Sequence, residues 1–272
     1  MSSSATTERD LDHLRRHVPA GHDTRVVDVT SAHAVLGVMG PRSRDLLATV
    51  SGEPLDDFAF ATSRMLRVGR ATVRATRITY VGELGWELYV PAARTGLVWD
   101  AVLGAGEAHG IRPAGLRALS SLRMEKGYRD FGHDIDNTDC PLEAGLGFAL
   151  ALDKPGGFVG RDAVLARKAA NAEAGGMGQR IVQLRVLDPE PLLFHAEVLH
   201  RDGAVVGYVR AASYGWTLGG AVGLAMVSAG GSPVTPDWLG AGTWEVDIAG
   251  TRHPVEVSLR PMYDPTSARI KV

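Results

Sequence analysis

The sequence predicts an α+β protein that gives way, at about Gly178, to a separate small β domain. Three features carry this expectation. The first half mixes short β-branched runs with stretches whose apolar residues recur every three or four positions. The tract NAEAGGMG, residues 171–178, then reads as a linker by composition. From Gln179 onward only strand-like runs remain, separated by glycine, proline and aspartate turns. At 272 residues the chain exceeds the usual size of one core, so several domains are expected. These are an N-terminal segment over 1–24, an α+β region over 25–178 and a C-terminal β domain over 179–272.

The opening MSSSATTERD is expected to be frayed. Residues 25–29 and 33–39 are β-branched and apolar between turn formers, and read as strands. Gly40 and Pro41 break the second of them; proline suits a first helical position, and Leu46, Leu47 and Val50 follow at helical spacing. Strands are expected at 63–68 and 71–80, after which YVGELGWELYV, residues 80–90, turns back as a hairpin. Helical spacing returns at 94–109 and 113–126, and a shorter helix is expected at 161–172, behind the turn KPGGFVG. The β domain holds IVQLRVL, AEVLHRDGAVVGYVRAAS, AVGLAMV, WEVDI and HPVEVSL, with HRDG as a hairpin turn.

Bulk composition excludes several classes of function. Lys and Arg number 29 against 31 Asp and Glu, and the basic residues are scattered, so no stripe exists to track a phosphate backbone and no nucleic-acid partner is expected. No apolar run approaches the roughly 18 residues of a membrane span, so no membrane partner is expected either. The single cysteine, Cys140, allows neither an intramolecular disulfide nor a cysteine cluster for zinc. The N-terminus lacks the charged start and apolar stretch of a signal peptide, and a cytoplasmic location is the default.

The stretch YVGELGWELYV is the first candidate for chemistry. Gly82 and Gly85 mark a bend or a close backbone approach, and the strand resumes at Trp86. Side chains alternate across a strand, so Trp86, Leu88 and Val90 share one face and Glu87 and Tyr89 the other. Glu83 falls in the turn and is expected in solvent. Glu87 is the carboxylate best placed to face a cavity, although strand geometry alone favours the plainer reading of a rim residue or the partner of an arginine. The second candidate block runs over 115–164. Arg123 and Glu125 differ by two helical positions and do not pair. Asp134, Asp136 and Asp139 suggest calcium spacing, but the glycine and final glutamate of an EF-hand loop are misplaced, and no metal site is assigned. His133 and His195 have no serine or cysteine in a nucleophile elbow, so the catalytic residue stays unknown.

Five blocks in order carry a family resemblance: YVGELGWELYVP, ALSSLRMEKGYRDFGHDI, PLEAGLGFALALDKPGGFVGRDAV, VVGYVRAASYGWTLGGAVGLAMV and PVEVSLRPMYDPTSARI. Together they resemble the glycine-cleavage aminomethyltransferase (T-protein) family, most closely the folate domains of dimethylglycine and sarcosine dehydrogenases. The resemblance runs from about Asp10 to the C-terminus. It implies a ring of two α+β lobes and a small C-terminal β-barrel domain around a channel for tetrahydrofolate. It also implies that Glu87, the last acid of the Y-x-G-E-x-G-x-E pattern, binds the pterin, with Tyr80 heading the same pattern. A carboxylate accepting two N–H donors from the pterin edge is a charge-assisted, bidentate contact. Arg123 lies in the family's arginine-containing helix and would address the glutamyl tail or brace the channel, a core-edge salt bridge being the plain alternative.

The same resemblance implies departures. Family members carry roughly a hundred further residues ahead of the first one here, a domain-sized portion. That portion supplies part of the first lobe and the aspartate beside the folate N5/N10 region. Ser120 stands where relatives often carry aspartate, and Phe194 and His195 where small residues are common near the channel. The implied function is tetrahydrofolate-dependent one-carbon transfer, capturing the carbon of N-demethylation as 5,10-methylenetetrahydrofolate. A partner chain, a flavin dehydrogenase or a complementary lobe, would complete it, and bare apolar surface would otherwise favour a homodimer. A folate-binding or interaction module without transferase chemistry, and a repurposed enzyme of specialised metabolism, are the competing readings, because fold alone does not choose function.

Overall fold

The computed structural model describes residues 6–272, which divide into two compact units, residues 6–116 with Thr266–Val272, and Arg117–Pro265. In the first, ten residues Thr7–Arg16 form helix α1, with Glu8 and Asp10 in its first turn and His13, Arg15 and Arg16 in its last. Both ends thus complement the helix dipole. Of the stretch expected to fray, Thr7–Asp10 are helical, and residues 1–5 lie outside the described residues.

The unit is built on an antiparallel sheet of β1 (His33–Met39), β2 (Ser63–Val68), β3 (Ala71–Thr76) and β4 (Gly85–Pro91), in the order β1-β4-β3-β2. Helices α2 (Ser43–Ser51) and α3 (Thr95–Gly106) cover one face, where Leu46, Leu47, Val98 and Val102 join Trp86, Leu88, Val90, Val73 and Leu66 in the core. The other face carries Val35, Gly37, Met65, Arg74, Glu87 and Tyr89. Two strand expectations are corrected. Residues 25–29 pair with no strand; the Asp28 carboxylate instead accepts from the Thr30 backbone N–H at 2.8 Å and winds the chain into a short 3₁₀ turn. The strand expected over 71–80 ends at Thr76, because Arg77 turns inward to donate to the Phe58 carbonyl at 2.6 Å and Ile78 N closes a tight turn on Thr76 O.

The second unit contains α4 (Leu116–Glu125) from Arg117 on, α5 (Arg161–Glu173) and a closed six-stranded barrel, which together with the first unit gives the α+β fold with a C-terminal barrel. The barrel strands are β5 (Gln179–Val186), β6 (Val198–Arg201), β7 (Ala204–Gly215), β8 (Gly220–Ser228), β9 (Trp244–Ile248) and β10 (Thr251–Ser258), in the order β10-β5-β8-β7-β6-β9. Closure leaves no bare edge. The HRDG turn is the expected two-residue hairpin: Asp202 and Gly203 both have positive φ, 50° and 80°, and Arg201 pairs with Ala204. β8 is buried at every residue but its last. One side fills the barrel with Ala221, Ala225 and Val227, while Val222, Leu224 and Met226 pack on Met124, Ile135 and Ala144. The tract expected as a linker is an ordered helix stop: α5 runs to Glu173, and the Gly176 N–H returns to Asn171 O at 2.7 Å. Among the described residues no helix is long and apolar enough to cross a membrane.

Candidate functional site

The YVGELGWELYV stretch folds as a loop feeding β4, and its glycines act as the composition predicts. Gly82 sits at φ 75°. Gly85 pairs with Met39, and a Cβ there would stand 2.7 Å from Met39 Cγ, so only glycine admits this approach. The backbone is pinned by Gly40 N–H on Leu84 O at 2.8 Å and by the Ser43 hydroxyl on the same carbonyl at 3.2 Å. From there the alternation holds: Trp86, Leu88 and Val90 are fully buried, and Glu87 and Tyr89 are half-buried on the opposite face.

On that face Glu87 lies between Gly37 of β1 and Thr76 of β3. Gly37 puts no side chain beside the carboxylate. The Tyr89 hydroxyl donates to Glu87 Oε2 at 2.7 Å, and among the described residues no donor reaches Oε1. Burial first, then the hydrogen bond to Glu87 and its charge, push the Tyr89 hydroxyl up to about 12. The phenol therefore stays protonated and keeps donating. Next to this pair opens a cavity of about 740 Å³ between the sheet, α1 and residues 26–30, with Leu11, Leu14, Val35, Met65, Arg74 and Tyr89 among its walls. Tyr89, not Glu87, is the wall residue, and the hydroxyl links cavity and carboxylate.

Tyr80 is half-buried in the loop ahead of β4. Glu83 differs from the solvated position expected of it: its side chain is 18% exposed and faces Arg269 of the C-terminal helix α6 (Ala268–Lys271) at 3.4 Å. The cause is the return of Thr266–Val272 to the first unit, 186 residues away in sequence from Glu83, where Arg44 and Arg77 both donate to Val272 O.

Arg123 belongs to the second unit and is buried there. Its guanidinium grips Asp134 with both terminal nitrogens, Nη2 to Oδ1 at 3.2 Å and Nη1 to Oδ2, and Nη1 also donates to Tyr128 O at 3.1 Å. Asp134, with no exposed side-chain surface, accepts further from the Asp130 N–H at 3.0 Å and lies 2.8 Å from His133 Nδ1. Arg123 thus organises the 128–135 turn. Asp136 accepts from Thr138, and Asp139 takes Arg210 at 3.2 and 3.3 Å, so each aspartate of the DID-and-D run has its own partner. Among the described residues no group of three or more His, Cys, Asp or Glu is placed to hold a metal ion. His133 and His195 approach with ring centroids 6.2 Å apart; Phe194 is exposed and Ser120 half-buried. Sequence reasoning passed over Tyr89 as a partner of Glu87, although two residues of equal parity on one strand were the signal. It passed over Asp134 as the counter-ion of Arg123, which no local spacing encodes.

Comparison with known proteins gives the following. Residues 1–154 match the GCVT N-terminal domain, and residues 179–264 the glycine cleavage T-protein C-terminal barrel domain. The chain is 39% identical over its whole length to 4-methylaminobutanoate oxidase (formaldehyde-forming) of Paenarthrobacter nicotinovorans, covering 32% of that protein. It is 36% identical over 91% of its length to human mitochondrial sarcosine dehydrogenase, covering 27% of it. The chain therefore spans about a third or less of these relatives. The crystal structure of glycine cleavage system aminomethyltransferase T from Bartonella henselae superposes with a TM-score of 0.80 at 22% identity, over 97% of this chain and 68% of that one, and shares the fold.

Proposed function

Because the chain belongs to the glycine-cleavage T-protein (aminomethyltransferase) family, we propose that it binds tetrahydrofolate through Glu87 and serves one-carbon transfer. In this reading it captures the carbon of an N-demethylation as 5,10-methylenetetrahydrofolate, beside a flavin dehydrogenase as partner. The observation that carries the reading is the Glu87 carboxylate on the open sheet face, with one oxygen held by Tyr89 and the other without a donor among the described residues.

That arrangement fits a pterin edge. An acceptor-only carboxylate suits a ligand edge made of N–H donors, and the Tyr89 hydrogen bond fixes its rotamer in advance, so less freedom is lost on binding. Gly37, paired with Glu87, adds no side chain of its own beside the carboxylate, and the Met39 side chain lies over it. Tyr80 is the second residue assigned to the pterin, and Arg123 acts through Asp134 by bracing the turn that follows α4. When bound, tetrahydrofolate supplies the N5 and N10 amines that accept a one-carbon unit. The chain's own contribution is to hold the ligand in register, a proximity effect. The name of the Paenarthrobacter relative, a formaldehyde-forming 4-methylaminobutanoate oxidase, and that of the human relative, a sarcosine dehydrogenase, support an N-demethylation as the carbon source.

The test is calorimetric titration of tetrahydrofolate into wild type and Glu87→Gln. The amide trades a charged acceptor for a neutral acceptor and a donor facing donors. Hydrogen bonds to charged groups contribute about 1.5–3 kcal/mol, so affinity should fall roughly ten- to a hundredfold. Glu83 is unsuitable as a control because Arg269 faces it; Asp100→Asn on the exposed side of α3 takes that place. Equal affinity in wild type and Glu87→Gln overturns the assignment.

A further inference from the structure

The second unit holds a cavity of about 670 Å³ between the end of α5, the 142–148 turn and the start of β5. Its charged wall residues are Lys168 and Arg180, and no carboxylate lines it. Neither cation has a hydrogen-bond or ion-pair partner among the described residues, unlike the neighbouring Arg167, which faces Glu143 at 3.5 Å, and Arg161, which donates to Leu152 O. Arg180 is half-buried, and burial alone lowers its pKa, with no anion nearby to offset the loss of hydration. An uncompensated, partly desolvated guanidinium is costly, and an anion bound beside it would offset that cost.

Two further features stand on the same wall. The Asn171 side-chain Nδ2 is shielded from water and has no acceptor. Phe148, 89% exposed, stands at the rim with Met177 among the apolar wall residues. A large aromatic ring bared beside two cations offers a face to a flat or apolar group while the cations take its charge.

We propose that this cavity is a binding site for a phosphate monoester with an aromatic or apolar body, its dianion held by Arg180 and Lys168 and its body laid against Phe148. Two cations without a carboxylate match a double negative charge better than a single one. Guanidinium geometry suits phosphate oxygens in pairs. The cavity is lined wholly by residues of the second unit, and the proposal does not depend on the assignment of Glu87.

The experiment uses phenyl phosphate, inorganic phosphate and benzoate at constant ionic strength, titrated into the whole chain and followed by backbone amide NMR shifts. Phenyl phosphate should move the amides of Gly147, Phe148, Gly175, Gly176 and Arg180 in a saturable way, and bind more tightly than inorganic phosphate, which lacks the body, and benzoate, which lacks the second charge. Lys168→Gln, on the exposed face of α5, and Arg180→Gln should each weaken phenyl phosphate about tenfold, the effect of losing one charge-assisted contact. Since Arg180 lies on a barrel strand, Lys168→Gln keeps the test sound if Arg180→Gln lowers the melting temperature. Shifts that never saturate at millimolar ligand, shifts elsewhere in the chain, benzoate binding as tightly as phenyl phosphate, or an unchanged affinity in Lys168→Gln would each overturn the proposal.

Discussion

Replacing Arg123 by methionine removes one half of the pair on which the 128–135 turn is built. Asp134 would keep only the Asp130 N–H and His133 Nδ1, with its side chain wholly out of solvent. Breaking a buried pair from one side costs about 3–5 kcal/mol, since a charge is stranded away from water. Asp134→Leu should cost a similar amount, because the guanidinium is left with the Tyr128 carbonyl alone. The double variant Arg123→Met/Asp134→Leu strands neither charge, and an apolar replacement of a whole buried pair is often near neutral. The double-mutant cycle should therefore show a coupling of at least about 2 kcal/mol. Urea unfolding, followed by tryptophan fluorescence and by far-ultraviolet circular dichroism, measures it, with coincident transitions as the condition for converting midpoints to free energies. Additive single effects, or single variants that each lose less than about 1 kcal/mol, would refute the view that Arg123 holds this turn through Asp134.

Tyr89 should be among the last of the tyrosines to ionise. Its folded pKa of about 12 lies above the unfolded value near 10, so the fold prefers the protonated phenol, and this contribution to stability is present below about pH 10 and lost as pH rises toward 12. Absorbance titration at the tyrosinate band, compared with Tyr89→Phe, should show one late-titrating group removed; a Tyr89→Phe curve that loses a group titrating near 10 contradicts the Glu87 contact. Gly207→Ala would place a Cβ 2.1 Å from the Met226 carbonyl on the paired strand, and should cost about 2 kcal/mol or more through forced displacement of β7 from β8. Gly203→Ala, where nothing lies within 4 Å and only the positive φ of 80° is strained, should cost about 1 kcal/mol. Thermal or urea unfolding that ranks the two in the opposite order would count against the close β7–β8 approach.

Much of the Glu87 site was readable one residue at a time. Strand alternation placed Glu87 and Tyr89 opposite Trp86, and the glycines at 82 and 85 announced a bend and a close approach, because both signals are properties of the local backbone. The hydroxyl-to-carboxylate bond between Tyr89 and Glu87 follows from the same alternation once the strand is half-buried. Glu83 was misread for the opposite reason: its partner Arg269 arrives from the far end of the chain, and no periodicity reports such a neighbour. Residues 25–29 have strand composition but no strand beside them. β-propensity expresses fit to a pleated neighbour and has no force where the neighbour is lacking.

By itself the sequence determined the strands β1, β2 and β4, the helices α2 to α5, the run of barrel strands that begins at Gln179, and the HRDG hairpin. These follow from side-chain periodicity and turn stereochemistry, which act over a few residues. Tertiary structure alone decided that β9 pairs with β6 and β10 with β5 to close the barrel, that Arg123 meets Asp134 and Arg210 meets Asp139, and that Thr266–Val272 returns to the first unit. It also decided that Lys168 and Arg180 share one cavity without an anion. Strand pairing and ion pairing between distant segments are selected by global burial and by the loss of open edges, and residues joined only in that way leave no mark on the local pattern of the chain.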